Sequence, residues 1–351
     1  MKKKIVTKQV VGIDIGKDSF FVCYMVKNED ESVTIKGTTN FENNISGFEK
    51  FHDWSNKRKQ TTKVSLVYVM EATGVYYEEL AYFLHEKKAT VSVQLAQKLK
   101  YYAKSCNLKS KNDKLDAKMI ASFGIEKNLH DKEIWTPPSE NFKVLRDLSR
   151  EHTSLKHAQV VAKSQLHALK HAHGIYEKVK EMKLNQISFY QTQIKEVTEE
   201  MRNLIKKDEK LNKKISHIET VAGLGFITII KVITEVNGFL LFKNIRQLVS
   251  YAGLDVVEDA SGKHVGKTKI SKKGNARIRT ALYMPAMSAI QNNQTLKQFY
   301  NRVNEGRTVK KQGLIAVMRK LLILIYTLWK KEEDYIENYQ AVKSSSGNDE
   351  D

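Results

Sequence analysis

The sequence predicts a mixed α/β domain followed by a mainly helical remainder, and three observations carry that prediction. Residues 10–26 alternate in side-chain character with a period of two, as strands do. Apolar runs of strand length then alternate with amphipathic helical stretches. Past Pro137 and Pro138 the pattern turns to helical periodicity with few glycines.

The elements follow in chain order. Val11, Ile13 and Ile15 point one way, and Gly12, Asp14 and Gly16 the other. A carboxylate between two glycines leaves room for something to approach it. After a tight turn at GKDS, Phe20, Val22, Tyr24 and Val26 mark a second strand, and VTIKGTTNF predicts a third. Residues 46–58 read as an amphipathic helix. VSLVYVM reads as a strand with Glu71 at its C-terminal end, residues 76–87 as a helix and TVSVQLA as another strand. The order β-β-β-α-β-α-β, then a helix, implies a mixed sheet.

Residues 142–217 predict two long helices divided near Gly174, a coiled-coil-like pair suited to a spacer or a dimer surface. IETVAGLGFITIIKVITEV places a Gly-x-Gly turn between two apolar helical stretches. That pattern fits a helix-hairpin-helix whose turn amides grip a phosphate, and equally an ordinary helix turn. FKNIRQLVSYAGL predicts a helix, a glycine-containing loop with Ser261 follows, and residues 277–292 and 313–330 read as packing helices. The polar tail KSSSGNDED is expected to be disordered. The expected organisation is residues 1–136 as the α/β domain, 137–217 as a helical linker, 218–335 as a serine-bearing domain and 336–351 as the tail.

The chain has 351 residues, a formal charge of +19 and a pI near 9.5. That excess of Lys and Arg points to a polyanionic partner, above all nucleic acid. The longest apolar run, LLILIYTLW, is too short to span a bilayer and predicts a buried helix. The two cysteines, Cys23 in a predicted strand and Cys106 in a lysine-rich loop, form no CxxC pair, which leaves a zinc ribbon or a disulfide framework unsupported. The N-terminus MKKKIVTKQVVG lacks the apolar run of a signal peptide, so a cytoplasmic location is expected.

Four carboxylates stand out. Asp113 and Asp116, in SKNDKLDAKMIA, share a helix face at i, i+3, while Asp14 and Glu71 occupy strand positions. Hard oxygen donors converging from several elements suit Mg²⁺ and phosphodiester chemistry. The plainer reading makes Asp113 a helix cap and Asp116 a solvated residue. Lys98, Lys100, Lys104, Lys109 and Lys111 stand nearby as phosphate contacts or as a solvated face.

Residues 261–279 hold seven basic residues, Lys263, Lys267, Lys269, Lys272, Lys273, Arg277 and Arg279, and no acid. Such a segment is suited to meeting phosphates. Ser261 precedes Gly262, so its backbone can be approached closely, and its hydroxyl is a candidate nucleophile. Ser271 is the rival, His264 is near Ser261 in sequence, and a serine before a glycine is also an ordinary turn. His167 and His171 have i, i+4 spacing and His173 follows, but no HExxH motif accompanies them.

Together these motifs resemble the DEDD transposases of the insertion-sequence-110 family over nearly the whole chain. VGIDIGKDSF is similar to the family's first-strand aspartate motif and MEATGVYYEELAYFL to its glutamate motif. KNDKLDAKMIA resembles its K-T-D-x-x-D-A motif, with Asn112 in place of threonine. VAGLGFITIIKVITEV, FKNIRQLVSYAGLD and SGKHVGKTKISKKGNARIRTALY resemble its C-terminal transposase domain, although the proline that usually follows Gly-Leu is absent from GLDVVEDASG.

The resemblance implies a RuvC-like (ribonuclease-H-like) N-terminal domain, a helical linker and a mainly helical domain bearing the nucleophile, Ser261. It implies Mg²⁺ at Asp14, Glu71, Asp113 and Asp116, donor and target DNA, a guide (bridge) RNA, and a homodimer that pairs into a tetramer around a composite site. The expected function is RNA-guided recombination through a phosphoserine. The alternatives are a metal-dependent junction nuclease that uses water, and an inactive nucleic-acid-binding remnant.

Overall fold

A computed structural model describes residues 5–337 except 73, 109–111, 128, 130–133, 175, 241, 243, 259, 262–263 and 267–268. The chain divides into two compact units, Met1–Pro137 and Pro138–Asp351.

The first unit is built on a five-stranded sheet of order β3-β2-β1-β4-β5. Its strands are β1 (Val6–Ile15), β2 (Ser19–Asn28), β3 (Val33–Glu42), β4 (Leu66–Glu71) and β5 (Thr90–Gln94). The first three are joined antiparallel, and β4 and β5 add in parallel beside β1. Helices α1 (Ile45–Lys57), α2 (Glu78–Glu86), α3 (Ala96–Ser105) and α4 (Asp113–Glu126) connect and cover them.

Alternation along the strands sorts the core. Val11, Ile13, Val22, Tyr24, Tyr68 and Met70 meet Phe48 and Phe51 of α1 and Leu80 and Leu84 of α2 on one face. Val10, Cys23, Met25, Val67 and Val69 meet Leu99 and Tyr102 of α3 and Ala117, Ile120, Ala121 and Phe123 of α4 on the other. The strand expected through residue 96 stops at Gln94, because Leu95 turns the chain into α3. Cys106 accordingly ends that helix instead of lying in a loop.

The second unit opens with α5 (Glu140–Lys170) and α6 (Glu177–Lys207). Then come α7 (Glu209–Glu219), α8 (Phe226–Glu235), α9 (Ile245–Ala252), four two-residue strands and α10 (Ala276–Asn292), α11 (Gln294–Asn304) and α12 (Lys311–Lys331). Its core joins the lower parts of the long helices, through Leu145, Met201 and Ile205, to α7–α12. By length and composition α12 is apolar enough to cross a membrane. Its Val317, Leu321, Leu322 and Ile325 are nevertheless buried in this core, as its apolar run predicts. In the Gly-x-Gly turn, Gly223 has φ +95° and presses on α10: a Cβ there would lie 2.6 Å from the Ala289 Cα.

Candidate active site

Two elements carry the candidate chemistry, one in each unit. In the first unit Asp14 and Glu71 stand one residue beyond the last register pair of β1 and β4, Ile13 and Met70. Adjacent strands lie about 4.8 Å apart, so the two half-buried acids are neighbours at one end of the sheet. Strand parity puts both on the face that α4 covers, since Val10, Val67 and Val69 meet that helix.

Helix α4 rests directly on β1. A Cβ on Gly12 would lie 2.1 Å from the Ala121 amide nitrogen and 2.5 Å from the Ala117 carbonyl oxygen. One on Gly124 would lie 2.6 Å from a Val10 methyl. Helix and strand therefore run in opposite directions. Two strand residues, about 6.6 Å, match between four and five helix residues. Extrapolating from Gly12 to Asp14 brings the first turn of α4, with Asp113 and Asp116, level with Asp14. Asn112 caps this turn, its Oδ1 accepting from the Leu115 amide at 2.9 Å, so it performs the capping role of a threonine. Asp113 is exposed and Asp116 half-buried, and both favour the positive end of the helix dipole.

The oxygen donors fit a hard divalent ion chemically. Among the described residues, however, no three His, Cys, Asp or Glu side chains come together closely enough to hold one. Sequence reasoning missed Gln94, the register partner of Glu71, which is buried and donates to the Ser92 hydroxyl at 2.7 Å. Period-two reading of TVSVQ could have found it. Lys98, Lys100 and Lys104 are exposed on α3, while Lys109 and Lys111 lie outside the described residues.

In the second unit α9 ends at Gly253, φ 65°, and the chain runs out and back as a narrow ribbon. β6 (Val256–Val257) pairs antiparallel with β9 (Lys269–Ile270), and β7 (Ala260–Ser261) with β8 (His264–Val265), Ser261 opposite His264. Ser261 is exposed near the tip.

The ribbon's base is tied at several points. The Ser271 amide donates to the Asp255 carbonyl at 2.9 Å, Lys272 to Gly253 at 3.1 Å and Asn275 to Tyr251 at 2.7 Å. The Ser271 hydroxyl donates to the Asp255 carboxylate. Arg279 Nη1 donates to the carbonyls of Ala252 at 2.9 Å and Gly274 at 3.3 Å, clamping both ends of the ribbon. Lys269, Lys272, Lys273 and Arg277 are exposed around it, and Lys263 and Lys267 lie outside the described residues.

Beneath the base Glu235 is nearly buried. It accepts from Arg150 Nε at 3.0 Å and from Asn275 Nδ2 at 2.8 Å, with Arg277 Nε 3.9 Å away. Burial pushes its carboxyl up, but these hydrogen bonds and charges outweigh burial and hold it below the usual range.

Comparison with known proteins agrees with these two parts. The family pattern described as a transposase of the DEDD insertion-sequence-110 type matches residues 11–172. The pattern of the "Transposase IS116/IS110/IS902 family" matches residues 215–301. A pilin gene-inverting protein of Moraxella bovis is 29% identical over 331 residues, covering 94% of this chain and 98% of that protein. The transposase for insertion sequence element IS1111A of Coxiella burnetii is 25% identical over 134 residues, 37% of each chain. A solved structure of an Aquifex aeolicus Ppx/GppA family member has 12% identity and a TM-score of 0.22, too slight a likeness to carry an argument. With matched segments spanning both the carboxylate-bearing sheet and the serine-bearing ribbon, this chain belongs to the insertion-sequence-110 family of transposases and is a DNA transposase/recombinase.

Proposed function

We propose that this transposase exchanges DNA strands through a covalent phosphoserine at Ser261, guided by an element-encoded bridge RNA, with Mg²⁺ held by Asp14, Glu71, Asp113 and Asp116. The observation that carries the reading is the exposed Ser261 near the tip of a ribbon whose base is clamped. Ser271, the rival nucleophile, is half-buried at the ribbon's base, where its hydroxyl is bonded to Asp255, whereas Ser261 is exposed near the tip, where DNA has access. The sheet order β3-β2-β1-β4-β5 supports a RuvC-like fold for the first unit.

In the proposed reaction the Ser261 oxygen bonds to phosphorus, one phosphorus–sugar oxygen bond breaks, and the serine proton passes to solvent or a base while the freed sugar oxygen is protonated. The phosphoserine keeps the energy of the phosphodiester. A sugar hydroxyl of another strand can then reverse the step and join it without a nucleotide cofactor. A bound divalent ion would supply charge stabilisation for the entering and leaving oxygens. The exposed Lys269, Lys272, Lys273 and Arg277 would hold the flanking phosphates.

Inversion, the activity for which the Moraxella relative is named, and transposition share this exchange of strands between two DNA sites. Exchange cuts four strands, which supports an assembly of dimers, and the α5–α6 pair is the expected contact surface. The protein would act in the cytoplasm, where its DNA lies.

The test is incubation with Mg²⁺, the flanking RNA and labelled donor and target DNA. A denaturant-resistant protein–DNA adduct is expected in wild type and absent from both Ser261→Ala and Asp14→Asn. Cut DNA without an adduct, still formed by Ser261→Ala, would move the assignment to a water-using nuclease.

A further inference from the structure

A second basic site lies beneath the ribbon, away from its tip. Helices α5, α8 and α10 enclose a cavity of about 410 Å³ lined by Ser149, Arg150, Lys231, Glu235, Arg277 and Thr280, among others. Three cations and one carboxylate face it. That carboxylate, Glu235, is already engaged by Arg150 and Asn275.

Lys231 sits one helical turn before Glu235 and makes no ion pair among the described residues. Its ammonium is half-buried, and burial together with Lys156 pushes its pKa down. His152, also buried, is held at about 4 by burial, Lys231 and Lys156, and its Nδ1 has no hydrogen-bond partner. Three cations against one carboxylate leave the lining net positive, and a partly desolvated ammonium without a paired carboxylate is costly. An anion in the cavity would offset it. The Thr280 and Thr153 hydroxyl protons are spent on the Ala276 and Ser149 carbonyls, each at 3.0 Å, which leaves the binding chiefly to the charged groups.

We propose that this cavity takes a backbone phosphate of the DNA substrate, with Lys231 as its central contact. The wall formed by Ala276, Arg277 and Thr280 begins next to Asn275, at the ribbon's base, so the same DNA could reach both. The inference rests on the chain's being a DNA transposase, not on the serine or metal reading.

The experiment is equilibrium binding of labelled duplex DNA to the full chain without divalent ions, across a salt series, for wild type, Lys231→Met and Lys231→Arg, beside thermal unfolding. Because binding and not cleavage is read, its failure is distinct from failure of the phosphoserine reading. Losing one phosphate contact should lower the slope of log K against log salt by about 0.9. Affinity should fall about tenfold in Lys231→Met and recover in Lys231→Arg. The melting temperature of free Lys231→Met should stay equal or rise, since an uncompensated charge has been removed.

An unchanged slope would overturn the proposal. A slope change confined to a matched RNA duplex would overturn the DNA assignment. Weaker binding with a lowered melting temperature, not rescued by arginine, would make Lys231 structural and overturn it too. Stabilisation of wild type by inorganic phosphate, with the DNA slope unaffected, would assign the cavity to a free anion.

Discussion

At the scale of single residues, Gly12 does the most to set the carboxylate geometry. Its missing side chain lets the α4 backbone touch β1, and extrapolation along the two elements from this contact brings the first turn of the helix level with Asp14. A methyl group there would meet the Ala121 and Ala117 backbone, which cannot give way as a flexible side chain would. Gly12→Ala should therefore destabilise the first unit by about 3 kcal/mol. It should also abolish DNA cleavage at temperatures where the unit is still folded, because α4 must shift bodily with Asp113 and Asp116. Full activity in a stably folded Gly12→Ala protein would separate the helix contact from the chemistry. Arg279 shows how a sequence-level expectation can be recast by geometry. Read as a phosphate contact, its guanidinium holds two carbonyls at the ends of the ribbon. It ties the base of the ribbon on which Ser261 is carried.

Among elements, α5 carries a pH dependence into the second unit. His152 is buried and kept neutral, its pKa pushed from 6.5 to about 4. The unfolded chain takes up a proton below 6.5, and the native protein does so only near 4. This contribution to stability is therefore complete above pH 6.5 and is lost as the pH falls towards 4. The loss should approach about 3 kcal/mol. Urea unfolding of wild type and His152→Met at pH 7 and pH 5 checks it: the wild type should lose more stability than the variant on acidification. Parallel pH slopes would mean that His152 takes up its proton over the same pH range in the native and unfolded chain.

Elements of this length were legible in the sequence because periods of two and 3.6 are local signals. The strand–helix order and the strand positions of Asp14 and Glu71 follow from these periods, while their common face needs the β1–β4 register. What stayed hidden depends on distant contacts or on very short strands. The approach of α4 to Gly12, and of Arg150 to Lys231 and Glu235, joins residues remote in sequence. The ribbon carrying Ser261 uses two-residue strands, too short for any period, and reads as a plain loop. α11 is not among the sequence expectations, although Leu296, Phe299, Tyr300 and Val303 fall at i, i+3, i+4 and i+7, a helical period.

At the scale of the whole molecule, the described residues of each unit build a hydrophobic core of their own. The clusters about the sheet are built from residues up to Trp135, and the helical cluster from Phe142 onward. The boundary falls at Pro137 and Pro138, where proline restricts both itself and the residue before it and so interrupts helical continuation. Units with separate cores melt as separate cooperative transitions unless their stabilities coincide. Calorimetry of the free protein should therefore resolve two endotherms. Gly12→Ala should lower one of them by about 10 °C, given the overpacking cost and the size of the first unit. His152→Met should flatten the pH dependence of the other and leave the first in place. A single transition that both substitutions move together would mean that the carboxylate-bearing and serine-bearing units fold as one body. Independent transitions would mean that each half of the chemistry is built by its own unit before DNA is bound.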